Sequence, residues 1–187
     1  EHLRALAMDP APFRKLSEMP SAPAGFADQI AGWIEPRERL AHRKWSPASM
    51  AALHVARQAV SEAGWSAAEC ADAAVFLGTS RGSLAGWLEP WPSRRAFPIL
   101  AAGNSLPSEP TAAIGQELGF AGAWQTVSSG CCAGLDALGL AALWIRSGQS
   151  PRALVLAVDL PLVTPVLEAY AETGILASTA GEGLIPS

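Results

Sequence analysis

The sequence predicts an α/β fold, a mostly parallel, mixed sheet with helices covering both faces. Three observations predict it. Short apolar runs at residues 73–77, 123–128 and 152–158 have the length and composition of buried strands. Between them lie longer segments whose apolar residues recur at helical spacing. Strands that alternate with helices pair in parallel, because parallel neighbours need long crossovers. Half of the 187 residues are apolar, so one sizeable core can be buried and a single main domain is expected.

The elements follow in order. Residues 1–45 are rich in proline and charge (Pro10, Pro12, Pro20, Pro23 and Pro36, then Arg37, Arg39, Arg43 and Lys44), which predicts an irregular arm with at most short helices. At Ser46 the character changes. Ser46 can cap, Pro47 suits the first helical position, and Met50, Leu53, Ala56, Val60 and Ala63 repeat at helical spacing as far as Gly64. The strand at 73–77 runs into a glycine-bearing loop, Gly78-Thr79-Ser80-Arg81-Gly82. A second helix spans 108–118 and closes at Gly119, and a second strand spans 123–128. Leu135, Leu138, Ala142 and Ile145 place one apolar stripe on a third helix that ends at Gly148, and 152–158 supplies the third strand. The main domain is expected over 46–175, with a flexible tail at 176–187. No internal repeat is visible.

Charge and composition exclude several classes. The net charge is -4 and the basic residues do not cluster, so nothing marks a nucleic-acid surface. The most apolar segment, 153–160, carries Asp159 and stops at Pro161, short of the ~20 residues of a membrane span. The N-terminus lacks the order of a secretory signal, and three cysteines, two of them adjacent, make no disulfide framework. A reducing cytoplasm is expected. The chain begins at Glu1, which points to processing, disorder or trimming upstream.

Chemistry concentrates at Cys131, which falls between the second strand and the start of a helix expected to be buried. The unpaired N–H groups of a first helical turn stabilise a thiolate and point donors at an oxyanion formed there. A cysteine here also suits a small buried hydrophobe, the role expected of Cys70. Gly130-Cys131-Cys132-Ala133-Gly134 further satisfies a nucleophile-elbow pattern centred on Cys132. That pattern needs a histidine downstream, and the only histidines, His2, His42 and His54, all lie upstream.

Ser128-Ser129-Gly130-Cys131-Cys132-Ala133-Gly134, followed by Leu138-Gly139 and Ala141-Ala142, resembles the strand-to-helix segment of β-ketoacyl-acyl-carrier-protein synthases, thiolase-like condensing enzymes. There a Thr-Ala-Cys-Ser-Ser-Gly type stretch holds the nucleophile, whose cysteine falls on Cys131. The resemblance extends over roughly residues 46–175, through Phe76-Leu77-Gly78-Thr79-Ser80-Arg81-Gly82, Gly103-Asn104-Ser105-Leu106-Pro107, Gln116-Glu117-Leu118-Gly119-Phe120 and Leu162-Val163-Thr164-Pro165. It implies the N-terminal half of a thiolase-like fold, Cys131 as acyl-accepting nucleophile, and acyl carrier protein and acyl-thioesters as partners. It implies no cofactor or metal. Ser129-Gly130 and Cys132 depart from the family pattern.

The resemblance also implies a two-half fold of which this chain matches the first. Two further groups, commonly histidines of the second half, assist decarboxylation and stabilise the developing charge. None follows Cys131 here. His54 reads as a partly exposed helix residue, and His2 and His42 as solvent contacts in the arm. Two functions are therefore expected as alternatives. One is a ketosynthase polypeptide whose missing groups come from further sequence or a partner. The other is a non-catalytic, chain-length-factor-like subunit of a ketosynthase heterodimer. Either exposes apolar surface, so a homo-oligomer or heterodimer is expected. Trp124 lies on the strand through which the family dimerises, or in the core. Trp87 and Trp91 follow the glycine loop and suit an acyl or partner surface as well as ordinary packing.

Overall fold

Where the sequence suggests an irregular lead-in, two short strands form. β1 (Phe13–Lys15) pairs antiparallel with β2 (Ile30–Gly32), with Phe13 opposite Gly32 and Lys15 opposite Ile30. The computed structural model describes residues 13–20, 22–35, 37–84, 103–104 and 106–176. These fall into two compact units, one of residues 37–160 and one joining the residues before 37 to those after 160. The strand pair belongs to the second unit, where Leu16, Met19 and Leu167 are buried together beside Phe26, Trp33 and Leu162. Its apolar partners come from opposite ends of the sequence, so local composition could not reveal the pairing. His2, Trp87 and Trp91 lie outside the described residues.

In the larger unit, α1 (Pro47–Ala63) starts as expected. Ser46 accepts a hydrogen bond from Ser49 N, Pro47 opens the first turn, and Gly64 closes the helix at φ 66°. A short helix not foreseen, α2 (Ala67–Asp72), follows with a full capping box: Ser66 and Glu69 satisfy each other's backbone N–H groups. The Ser66-Ala67-Ala68-Glu69 spacing was its signal. Cys70 on this helix is buried, as its reading as a small hydrophobe required.

β3 (Ala74–Gly78) is buried along its whole length and is the middle strand of a three-stranded parallel sheet. β4 (Trp124–Val127) pairs with it from Val75 opposite Trp124 to Gly78 opposite Val127. β5 (Ala153–Ala157) pairs on the other side, from Ala74 opposite Ala153 to Gly78 opposite Ala157. The alternation of β3 side chains divides the core in two. Val75 and Leu77, with Leu154 and Leu156, pack on Leu53 and Ala56 of α1 and on Ala113 and Ile114 of α3 (Glu109–Leu118). Ala74 and Phe76 face the opposite way, onto Ala137 and Ala141 of α4 (Ala133–Arg146), and Trp144 meets Phe76 edge-on at 5.8 Å.

The apolar stripe on α4 corrects the sequence reading. Leu135, Leu138 and Ile145 face outward, at 73%, 55% and 42% exposure, while the helix is buried along Ala133, Ala137 and Ala141. Close packing explains the choice: alanines let α4 approach the sheet, and the larger residues are left on the open side. The second unit adds α5 (Thr164–Glu172), begun by Thr164-Pro165.

Candidate active site

All three parallel strands end at the same edge of the sheet, and the residues singled out by sequence gather there. β3 continues into Thr79–Gly82, β4 into Ser128–Cys132, and β5 into Val158 and Asp159. The ladder persists past the strands through Thr79 N to Val127 O (3.0 Å) and Val158 N to Gly78 O (3.1 Å).

Asp159 fixes the first of these loops. Its carboxylate accepts hydrogen bonds from Thr79 Oγ1 (3.0 Å), Ser80 N (2.8 Å) and Arg81 N (2.9 Å). Thr79 Oγ1 in turn accepts from Gly82 N at 2.8 Å. Sequence reasoning noticed Asp159 only as a break in an apolar run. A carboxylate two residues past a parallel strand, opposite a Thr-Ser-Arg-Gly loop, was the available signal.

Cys131 and Cys132 occupy a single 3-10 turn, Gly130–Cys132, immediately before α4. Both thiols are exposed and neither is bridged. Gly130 supplies the left-handed conformation, φ +70°, that turns the chain out of β4, and Ala133 N closes the turn on Gly130 O. Ser129 Oγ donates to Asp136 Oδ2 across the turn. Behind the turn the packing is tight. A Cβ on Gly78 would lie 2.3 Å from Ala133 O, so only glycine lets the end of β3 touch the start of α4.

A second polar cluster, which sequence reasoning passed over, lies beside the site. Glu109, 5% exposed in the first turn of α3, accepts from Ser46 N (2.9 Å), Ser46 Oγ, Ser83 Oγ (2.7 Å) and Asn104 Nδ2 (2.6 Å). Asn104 Nδ2 also donates to Lys44 O at 2.9 Å. The cluster ties Ser83, just beyond the Asp159-held loop, to the start of α1. In sequence Glu109 looks like an ordinary acidic residue at a helix start.

Neither described histidine has a hydrogen bond to a cysteine shown. His54 is exposed on α1, on the opposite sheet face from α4. His42 Nδ1 accepts from Lys44 N (3.2 Å) and Trp45 N (3.1 Å), ordering the turn into α1. Trp124 is 40% exposed; its Nε1 donates to Phe120 O (3.0 Å) and its ring covers Gly115. Among the described residues no group of three His, Cys, Asp or Glu could hold a metal. No helix among them is long and apolar enough to cross a membrane.

A doubly covered parallel sheet with a cysteine turn seated on its strand ends is the thiolase-like arrangement. Residues 7–183 match the family model for the β-ketoacyl synthase N-terminal domain, and the chain belongs to that family. The fold is similar to a chain in the structure of a type II PKS acyl-carrier protein in complex with its ketosynthase bound to the hexaketide. The match has TM-score 0.60 and 23% identity, over 81% of this chain and 38% of that one. This chain thus spans well under half of that neighbour. No curated protein matches it.

Proposed function

We infer that the protein acts in acyl-carrier-protein-dependent chain elongation of fatty acids or polyketides, with Cys131 accepting the acyl group. The observation that carries this reading is the exposed cysteine turn at the strand ends, clamped from behind by Gly78 and Ala133. The thiolate adds to the carbonyl of an acyl-thioester, and the carrier thiol leaves with a proton. In this reading N–H groups at the start of α4, other than Ala133 N, which donates to Gly130 O, serve as donors for the oxyanion of that step. A thiolate needs little further help to be acylated. Decarboxylative condensation needs more, because an enolate must be stabilised by placed donors, and His42 and His54 are both engaged elsewhere or turned away. The groups for that step come from further sequence or another subunit. In this reading acyl carrier protein and acyl-thioesters are the partners, and the cytoplasm, which keeps thiols reduced, is the compartment.

The outward apolar stripe of α4 favours a second reading, a chain-length-factor-like subunit that covers this face with a catalytic ketosynthase. One experiment separates the two. The protein is incubated with an acyl-thioester, with and without candidate partners, and the mass of the Cys131 peptide is compared with that of Cys131→Ala. A thioester on Cys131 supports the nucleophile. Its absence under every condition leaves the non-catalytic reading.

A further inference from the structure

Acylation leaves Cys132 without a role, although it shares the exposed turn with Cys131. We propose that Cys132 is a resolving thiol, and that the pair is a reversible oxidation site for hydroperoxides which closes to a vicinal disulfide.

Two exposed thiols adjacent in sequence need no further partner, and an accessible thiol beside a second one is the arrangement in which a sulfenic acid is captured before further oxidation. In the first step the Cys131 thiolate attacks one oxygen of the hydroperoxide. The S–O bond forms, the O–O bond breaks, and the leaving oxygen takes a proton; for hydrogen peroxide it departs as water. Sulfur is oxidised to sulfenic acid and the peroxide is reduced. In the second step Cys132 Sγ attacks the Cys131 sulfur. The S–S bond forms, the S–O bond breaks, and the hydroxyl leaves as water with the Cys132 proton. Two equivalents of a small thiol reverse the change.

Local geometry makes the bridge reversible. Adjacent Cα atoms across a trans peptide are about 3.8 Å apart, below the roughly 4.4–6.8 Å usual for disulfides. That separation is set by the peptide and stays the same whatever the turn does, so the bond closes only under strain, taken up in the torsions of the turn, and is easily reduced. The turn has room for that adjustment. Gly130, Cys131 and Cys132 are all exposed, and nothing lies within 4 Å of a Cβ placed on Gly130. The first packed residue is Ala133, 3% exposed, so rearrangement stops where α4 meets Gly78. Cys70 cannot compete. It is 4% exposed on α2, which precedes β3, whereas the cysteine turn adjoins the far end of that strand.

The test uses the full chain, hydrogen peroxide and peptide mass mapping, and does not depend on acylation. The peptide carrying Cys131 and Cys132 should lose two hydrogens, take up no dimedone, and recover both thiols with dithiothreitol. In Cys132→Ser, Cys131 should instead give a dimedone adduct and, with more peroxide, a sulfinic acid. The proposal is overturned if Cys131 forms dimedone adduct or sulfinic acid equally fast with and without Cys132, or if peroxide yields only chain-to-chain disulfides.

Discussion

Gly78 and Ala133 touch backbone to backbone. A Cβ on Gly78 would meet Ala133 O at 2.3 Å and Gly134 N at 2.5 Å. The end of β3 therefore sets where α4 begins, and Cys131 stands two residues before that point. Neither partner is a flexible side chain that can swing away. Gly78→Ala should cost about 1–3 kcal/mol or more, as overpacking does, and lower the melting temperature. Gly139→Ala, on the open side of the same helix with nothing within 4 Å, should instead stabilise by about 0.8–1 kcal/mol through helix propensity. Equal melting temperatures for Gly78→Ala and wild type would contradict the contact.

Asp159 holds the 79–82 loop through three acceptor bonds. Asp159→Asn keeps a single carbonyl and turns an N–H group toward donors. Hydrogen bonds to a charged group contribute about 1.5–3 kcal/mol, and Asp159 is exposed, so a loss near about 1.5 kcal/mol is expected. The specific sign is local: amides of Ser80 and Arg81 should exchange faster while those of α1 do not change. Uniform acceleration would show that Asp159 acts on global stability alone.

Glu109 distinguishes two substitutions. A glutamine can keep its oxygen toward Ser46 N and Asn104 Nδ2 and its amide toward Ser46 Oγ and Ser83 Oγ, since hydroxyls accept as well as donate. Glu109→Gln should therefore cost less than about 1 kcal/mol. Glu109→Ala leaves two buried donors without an acceptor, at about 1–3 kcal/mol each. Denaturant midpoints should rank wild type, then Gln close behind, then Ala far below. A Gln variant as weak as Ala would remove the proposed pairing.

Acid should weaken the start of α2. The carboxyl of Glu69 lies below its ordinary value of 4.5, chiefly through the backbone hydrogen bond from Ser66, then through the Ser66 hydroxyl and the charge of Arg152. A depressed carboxyl stabilises the fold above its unfolded value, and this share is lost as pH falls through the folded value. Glu69→Gln should thus be less stable than wild type at neutral pH, with the gap closing in strong acid. A gap that stays constant across that range would assign the effect to packing rather than charge.

Much of this architecture was legible because it is local. The Ser46-Pro47 start and Gly64 stop of α1, the Gly119 stop of α3 and the three apolar strands each carry their signal within a few residues. The position of Cys131, in the turn between β4 and α4, was legible from the apolar run before it and the helical spacing after it. What was missed depends on distance. Leu16 finds Leu167, Asp159 finds the loop at Thr79, and Glu109 finds Ser46 and Ser83, across separations no sequence window spans. The α4 stripe misled for another reason. That helix is apolar on nearly every side, so periodicity could not say which side meets the sheet, and the choice fell to the small residues that allow close approach.

The stripe itself makes the last prediction. Leu135, Leu138, Ala142 and Ile145 repeat at intervals of three, four and three, the spacing of a seam between two helices. The exposure of Leu135, Leu138 and Ile145 predicts that the chain associates through α4, with a second copy or with another subunit. Leu135→Lys with Leu138→Lys should abolish association, since burying each leucine contributes about 1.5–3 kcal/mol, at least about tenfold in affinity apiece. The fold should survive, because both side chains point away from Phe76 and the buried line of Ala133, Ala137 and Ala141 is untouched. Sedimentation should find wild type associated and the double variant monomeric, with identical circular dichroism. A wild-type chain that stays monomeric at high concentration would exclude self-association and leave another subunit as the partner for this face. An unfolded double variant would show that the stripe packs within the chain instead.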